Sequence, residues 1–426
     1  MRFANYRIFC YFAAMFDFLQ GRLLPARLSL LVAVLALVAI GILTIYSLGH
    51  PADTAPTQSN KFADQWKKQT QYAIVGFGAF LALNWVNYRR LGAVSGWLYA
   101  ATLLLLAILL LDKYIDLPFV PVVNNSRRWL RIGLAGRFVQ LQPSEICKLT
   151  YVLALAWYLR YRSNYRNLSS LLGPFLLTVL PMILILKEPD LGTVLLMMPV
   201  LFTMLFVAGA KGKHLLMVML LALCVSPLLW NKMDKYQRLR ISSVALQSKW
   251  LQDKAQHHPW LGKILVGTTF STQKWESNWG YHLIRSKYAV ASGGLTGYGF
   301  GKGPFVKNNF LPERHNDFIF AVIAHQWGFV GCMVILGLYV IITICILEIA
   351  ASNSDPFAKL LAVGIAATFA VEVLVNVGMT LGLMPITGLT LPFVSHGGSS
   401  LVVSLASVGL LNNLGRSWPF TVAPKT

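Results

Sequence analysis

Long apolar runs separated by polar connections dominate this chain. Runs of about 18 or more apolar residues suffice to cross a bilayer as helix. They fall near residues 28–48, 71–88, 93–112, 145–160, 170–187, 191–209, 214–230, 317–349, 358–383 and 398–415. In hydrocarbon only helices and closed barrels satisfy their own backbone. The pattern therefore predicts an all-α polytopic membrane protein with about ten transmembrane helices. The run at 317–349 exceeds one crossing, so part of it is expected to extend into water or to tilt. One connection, 231–316, is far longer than an ordinary loop and precedes the eighth span. Three parts follow: a basic amphipathic N-terminal segment (1–27), a membrane domain (28–416) containing the large loop, and a tail (417–426).

Composition agrees. The chain is 56% hydrophobic and 12% charged, and soluble domains carry roughly twice that charged fraction. Arg2, Arg7 and Arg22 stand among aromatics, as in a segment lying on a membrane surface. The run from Leu28 to Leu48 is long enough to span and lacks a following cleavage site, which disfavours a signal peptide. Arg89-Arg90, then Arg160, Arg162 and Arg166, then Lys211 and Lys213, then Lys359 and Arg416 fall on every second connection. The positive-inside rule makes that side, and both termini, cytoplasmic.

Two extracytoplasmic segments break this rule. Loop 113–144 carries Arg127, Arg128, Arg131 and Arg137, and loop 231–316 carries thirteen Lys or Arg against four acids. Such charge on the outer side suggests an anionic partner. Guanidinium groups suit phosphate or pyrophosphate; contact with acidic lipid headgroups is the plainer alternative. Nucleic acid is excluded by the location of the charge and the lack of any binding motif. The five cysteines and eight histidines are scattered, so no disulfide framework or metal site is implied, and His257-His258 reads as a solvated pair.

Only sixteen acids exist, and four lie near the outer half of the membrane: Glu145, Asp190, Asp317 and Glu372. Asp317 stands where the polar loop meets a very apolar helix, as either a helix cap or a functional carboxylate. Glu145 opens a helix and compensates its dipole or pairs with Lys148. Asp190, after Pro189, reads as an N-cap. Glu372 lies inside a span, with Asn376 one turn on, and must face a partner or a cavity. The glycine-rich run Gly293 to Gly303 suits a flexible lid or a tight turn. Trp250, Trp260, Trp275 and Trp279 suit an aromatic interface anchor.

The stretch Leu311-Pro312-Glu313-Arg314-His315-Asn316-Asp317 to Ala321 resembles the signature of the SEDS family, the shape, elongation, division and sporulation proteins of RodA/FtsW type. Further segments agree in order. They are Arg128-Trp129-Leu130 leading to Gln142-Pro143-Ser144-Glu145 and Lys148, then Pro189-Asp190-Leu191-Gly192-Thr193, Ser286-Lys287, Asn376 to Met379, and Leu383 to Ser400. The resemblance covers nearly the whole chain from residue 28.

It implies a peptidoglycan glycosyltransferase of the bacterial cytoplasmic (inner) membrane that polymerises lipid II into a nascent glycan strand. The implied partner is a class B penicillin-binding protein, a transpeptidase, in addition to membrane lipids. The position matching the family's essential acid is Asp317. Transfer from an α-linked pyrophosphate to a β-linked product inverts the anomeric centre and needs one general base, the role expected of Asp317. Arg128, Lys148 and Arg314 are expected at pyrophosphate, with Glu145 orienting Lys148. Trp129, Asn376, Ser399 and the weaker Lys287 complete the expected substrate-binding set. A divalent cation, Mg or Mn, is compatible with the leaving group, although no ligand cluster demands one.

The chain departs from the family at His325-Gln326, where two glutamates are common, at His396 in place of tyrosine, and at Asn316 in place of threonine. They support a second reading, a catalytically weak scaffold for a transpeptidase; the many spans and basic outer loops also suit a third, a lipid-linked precursor flippase with Glu372 as its midplane acid.

Overall fold

A computed structural model describes residues 23–51, 63–112, 115, 119–121, 127–134, 137–161, 168–188, 190–233, 235–308, 310–311 and 313–416. The expected N-terminal segment up to residue 22, the tail 417–426, and Arg162 and Arg166 lie outside the described residues.

Every expected apolar run is helical. In chain order the helices are α1 (Leu24–Gly49), α2 (Gln65–Trp85), α3 (Tyr88–Leu111), α4 (Pro143–Leu159), α5 (Leu172–Lys187), α6 (Leu191–Val207) and α7 (Gly212–Lys232). The loop between spans adds α8 (Lys235–Ala245), α9 (Lys249–His257), α10 (Pro259–Val266), α11 (Thr272–Ser277), α12 (Trp279–Ser292) and α13 (Pro304–Lys307). Then come α14 (Ile319–Ser352), α15 (Pro356–Thr380) and α16 (Gly398–Arg416). Among the described residues α1, α3, α14, α15 and α16 are long and apolar enough to cross a membrane, and α5, α6 and the first part of α7 are shorter apolar helices. An antiparallel hairpin, β1 (Leu130–Leu134) and β2 (Arg137–Leu141), precedes α4.

Local chemistry sets several helix starts. Asn87 caps α3 by accepting from Arg89 N at 2.9 Å, and Asp355 caps α15 by accepting from Phe357 N at 3.0 Å. Pro356, with no N–H to lose, follows that cap. α2 begins earlier than its apolar run because its first turns are polar. Gln69 is buried there and donates to the Ser395 carbonyl at 3.0 Å.

One core joins α1, α4, α6, α14, α15 and α16 through residues such as Leu37, Tyr151, Leu201, Ile342, Leu361 and Leu411. Val32, Leu104, Leu172, Leu223 and Ile344 point outward, as lipid-facing residues do. At the end of the bundle away from the hairpin, buried Arg27 donates to Asn412 Oδ1 at 2.9 Å, and Asn412 donates to Asn84 Oδ1 at 2.8 Å. These bonds satisfy polar groups that the bundle removes from water.

The long run at the start of α14 is interrupted, a finding the sequence expectation of tilt or extension did not contain. Gly328 has φ 62° and ψ −159°, a conformation essentially reserved for glycine. The break frees backbone groups, and the glycine-rich strap 293–301 takes them up. Tyr298 N and Gly299 N donate to His325 O (3.1 Å) and Gln326 O (2.9 Å). Phe329 N and Val330 N donate to Gly294 O (2.8 Å) and Leu295 O (3.1 Å). A broken helix at membrane depth is tolerated where other protein backbone re-pairs it. The strap is therefore a tight structural turn.

Candidate active site

A cavity of about 800 Å³ opens at one end of the bundle. Its wall combines the start of α2 (Gln65, Tyr72), the segment Arg128–Trp129 before and within the hairpin approach, and the first turns of α4, α6 and α16. Glu313 to Phe318, before α14, forms another side, and residues 386–400 close it. Three helix N-termini thus face one space, and each brings a positive dipole end.

Asp317 is half-buried in this cavity. It does not cap α14. The residue preceding the helix is Phe318, and no side chain accepts a capping bond there. Its backbone is held instead: Asn376 Nδ2 donates to Asp317 O at 3.0 Å and to Leu389 O at 2.7 Å. Burial raises the Asp317 carboxyl from its ordinary 3.8 to about 7. Glu313 and Asp190 push in the same direction, and Arg240 and Arg128 oppose them.

Arg240 is the residue the sequence reading missed. It comes from α8, lines the cavity, and donates to Thr387 O at 3.3 Å. A methyl group built on Gly388 would lie 3.7 Å from Asp317 Oδ2 and 4.0 Å from Arg240 Nη1. Carboxylate and guanidinium therefore flank one small space, which Gly388 leaves open at φ +80°. The run Tyr236-Gln237-Arg238-Leu239-Arg240 was one signal within a loop crowded with basic residues, and only the fold distinguishes its last arginine.

The other expected residues divide. Arg128, Trp129, Glu145 and Ser399 line the cavity. Ser399 Oγ accepts from Gln142 N at 2.9 Å, which joins α16 to the start of α4. Lys148 lies below the wall, bonded to Glu145 Oε2 at 2.7 Å and Glu372 Oε1 at 2.5 Å. Glu145, in the first turn of α4, and Glu372 thus both pair with one lysine. Arg314 is turned away. It is 1% exposed and donates to Phe305 O and Val306 O at 3.1 and 2.9 Å. A short loop that must pass beneath these carbonyls uses the guanidinium as a clamp. Lys287 is exposed on α12 and donates to Gln247 Oε1 at 3.0 Å, outside the cavity wall. Asp190 caps α6 as expected, accepting from Thr193 N at 3.3 Å and from Ser144 Oγ at 2.9 Å. Of the four clustered arginines, Arg127 pairs with Asp112 at 2.8 Å, and the side chain of Arg137 lies outside the described residues.

The departures from the family signature sit in two places. His325 and Gln326 are fully buried behind the cavity. His325 Nδ1 contacts Ser292 Oγ at 2.7 Å, and Gln326 bonds Ser47 Oγ at 2.8 Å and Gly301 N at 3.1 Å. Both knit the strap to α14 and α1. His396 does line the cavity, with its ring 5.5 Å from that of His315. Burial holds both rings down to about 4, so they are neutral at neutral pH. Among the described residues no group of three or more His, Cys, Asp or Glu is placed to hold a metal ion.

Residues 27–418 match the profile of the FtsW, RodA and SpoVE family, described as cell cycle proteins. The peptidoglycan glycosyltransferase RodA of Treponema pallidum is 31% identical, over 90% of this chain and 96% of its own length. The probable peptidoglycan glycosyltransferase FtsW of Geobacter metallireducens is also 31% identical, over 91% and 94%. Among solved structures, a chain of a peptidoglycan synthase complex that coordinates polymerisation and crosslinking superposes with TM-score 0.68 at 30% identity, covering 91% of this chain and 96% of that one. The rod shape determining protein RodA of Thermus thermophilus superposes with TM-score 0.60 at 29% identity, covering 91% and 95%.

Proposed function

The chain belongs to the FtsW, RodA and SpoVE family of cell cycle proteins and is a peptidoglycan glycosyltransferase, and we propose that it polymerises lipid II by inverting transfer with Asp317 as general base. In this reading the acceptor sugar hydroxyl loses its proton to Asp317 as its oxygen attacks the donor's anomeric carbon. The bond from that carbon to pyrophosphate breaks, and the electron pair leaves with the pyrophosphate. Arg128 and Arg240, with the N-terminal ends of α4, α6 and α16, stabilise that charge. Asn376 positions Asp317 through its backbone. Trp129, Ser399 and Glu145 shape the wall, while Lys148, paired with Glu145, supports it from behind.

The observation that carries this reading is the pairing of Asp317 and Arg240 across the gap at Gly388. A base and a cation facing one small space are what an inverting transfer with an anionic leaving group requires. The scaffold alternative is weakened, because His325 and Gln326 bond the strap and α1 away from the cavity wall, although His396 and Asn316 do line it. The flippase alternative weakens because Glu372 is engaged by Lys148. In the same reading ten helices span the cytoplasmic membrane, both termini are cytoplasmic, and the cavity faces outward. Lipid II and the nascent strand enter there from the lipid phase, and a class B penicillin-binding protein works alongside.

The test is glycan-chain formation from purified lipid II by the reconstituted protein with its transpeptidase, comparing wild type with Asp317→Asn. Polymer from wild type and almost none from the variant, with lipid II binding retained, is the expected result. Equal polymer from both removes Asp317 from the role of base.

A further inference from the structure

The loop between α7 and α14 contains a folded unit with its own small core. Leu246, Ala255, Val266, Phe270 and Trp275 close it, separate from the core of the bundle. Two large aromatics stay out of that core. Trp250 and Trp260 are 64% and 61% exposed, and Ile264 is 48% exposed. They share helix faces with lysines. Lys254 is one turn from Trp250, with its Nζ 4.1 Å from the ring centroid, and Lys263 is three residues from Trp260.

One bond ties this face directly to the end of α7. Trp230, in the last turn of α7, donates from Nε1 to Ile264 O at 2.8 Å. Below it, α7 exposes Leu216, Leu220 and Leu223, an apolar lipid-facing stripe. The exposed face of α10 therefore begins where the lipid-facing stripe of α7 ends. Lys249, Lys254, Lys263 and Lys274 are exposed around it, against Asp253 and Glu276, and Asp253 is paired with His257 at 3.2 Å.

Tryptophans at the rim of a lipid-facing helix, each with a neighbouring lysine, form the pattern of an interfacial segment whose apolar groups enter the bilayer while its ammonium groups reach phosphate. We propose that α9 and α10 are a docking face for the anionic phospholipid surface of the outer leaflet. Trp250, Trp260 and Ile264 enter the headgroup–acyl boundary, and Lys249, Lys254 and Lys263 bind headgroup phosphates. The contact reaches the cavity. Ser242 of α8 donates to Leu265 O of α10 at 2.6 Å, and α8 carries Arg240. The unit and Arg240 are thus coupled through α8, with Arg240 also held at the cavity wall by Thr387 O.

The test places a nitroxide on full-length protein in nanodiscs, in a background with the native cysteines replaced. Labels go on Ile264→Cys and Trp250→Cys, with Glu276→Cys as a water-exposed reference. In discs containing phosphatidylglycerol, the ratio of oxygen to nickel-complex collision rates at positions 250 and 264 is expected to stand several-fold above that at 276. It is expected to fall in phosphatidylcholine discs, and when Lys249, Lys254 and Lys263 are all replaced by Gln. A ratio equal to that at 276 in every disc overturns the proposal. So does protection that appears only when a transpeptidase is added, which assigns the face to a protein. Equal ratios in the two lipids overturn the role of the lysines. None of these readouts depends on glycosyltransferase activity.

Discussion

At the scale of the residue, the proposed mechanism turns on one carboxyl. A base whose pKa lies near the working pH combines a useful ionised fraction with useful basicity. With Asp317 raised to about 7, polymerisation is expected to increase with pH along a limb centred near that value. Arg240 favours the ionised form, so Arg240→Gln is expected to move the limb to higher pH and also to lower the maximum rate; a pH–rate profile reads both. The same burial carries a stability consequence with a definite sign. The folded protein holds Asp317 above its ordinary 3.8, so ionising it costs stability as pH rises from about 4 through about 7. Asp317→Asn is therefore expected to raise the melting temperature more at pH 8 than at pH 5, even as it abolishes polymer. The sequence singled out Asp317 because a carboxylate at the mouth of an apolar helix is rare. It could not single out Arg240, since thirteen basic residues share that loop and charge alone ranks none of them.

At the scale of the element, hydrophobic patterning located the helices within a few residues, because burial in lipid leaves long apolar runs. The interruption of α14 was not legible. Gly328 sits in a long, mostly apolar run interrupted only by His325-Gln326, which does not of itself signal a break, and the strap that completes it lies some thirty residues earlier in the chain. Gly328→Ala forces a side chain into a glycine-only conformation and drives its Cβ onto the carbonyl of Leu295. The expected cost is about 1–3 kcal/mol from backbone strain before the clash is counted. It should appear as a lowered melting temperature together with faster hydrogen exchange at Phe329 and Val330, the two amides that the strap accepts. The small hairpin before α4 also escaped the sequence reading, as a five-residue strand pair beside long apolar helices leaves little periodic signal.

At the scale of the whole molecule, the bundle is tied across its cavity end by charge. Lys148 of α4 bridges Glu145 and Glu372, and the latter belongs to α15. Removing the lysine leaves two buried carboxylates facing each other. Lys148→Met is expected to destabilise the protein by about 3–5 kcal/mol, whereas Glu372→Gln, which keeps a hydrogen bond to Lys148, is expected to cost about 1 kcal/mol; thermal unfolding in detergent separates the two. Sequence spacing placed Glu145 and Lys148 on one helical face, but their link to Glu372, more than two hundred residues on, required the assembled fold. The strap and the broken helix carry a different implication at this scale, for how such proteins can be recombined. Residues 293–301 and 325–330 are two halves of one hydrogen-bonded joint, and neither half has a complete partner set in its own segment. A chimera with a relative that crosses over between residues 303 and 319 would mate one protein's strap to another's helix, so the joint has to be exchanged as a single cassette with both halves from the same parent.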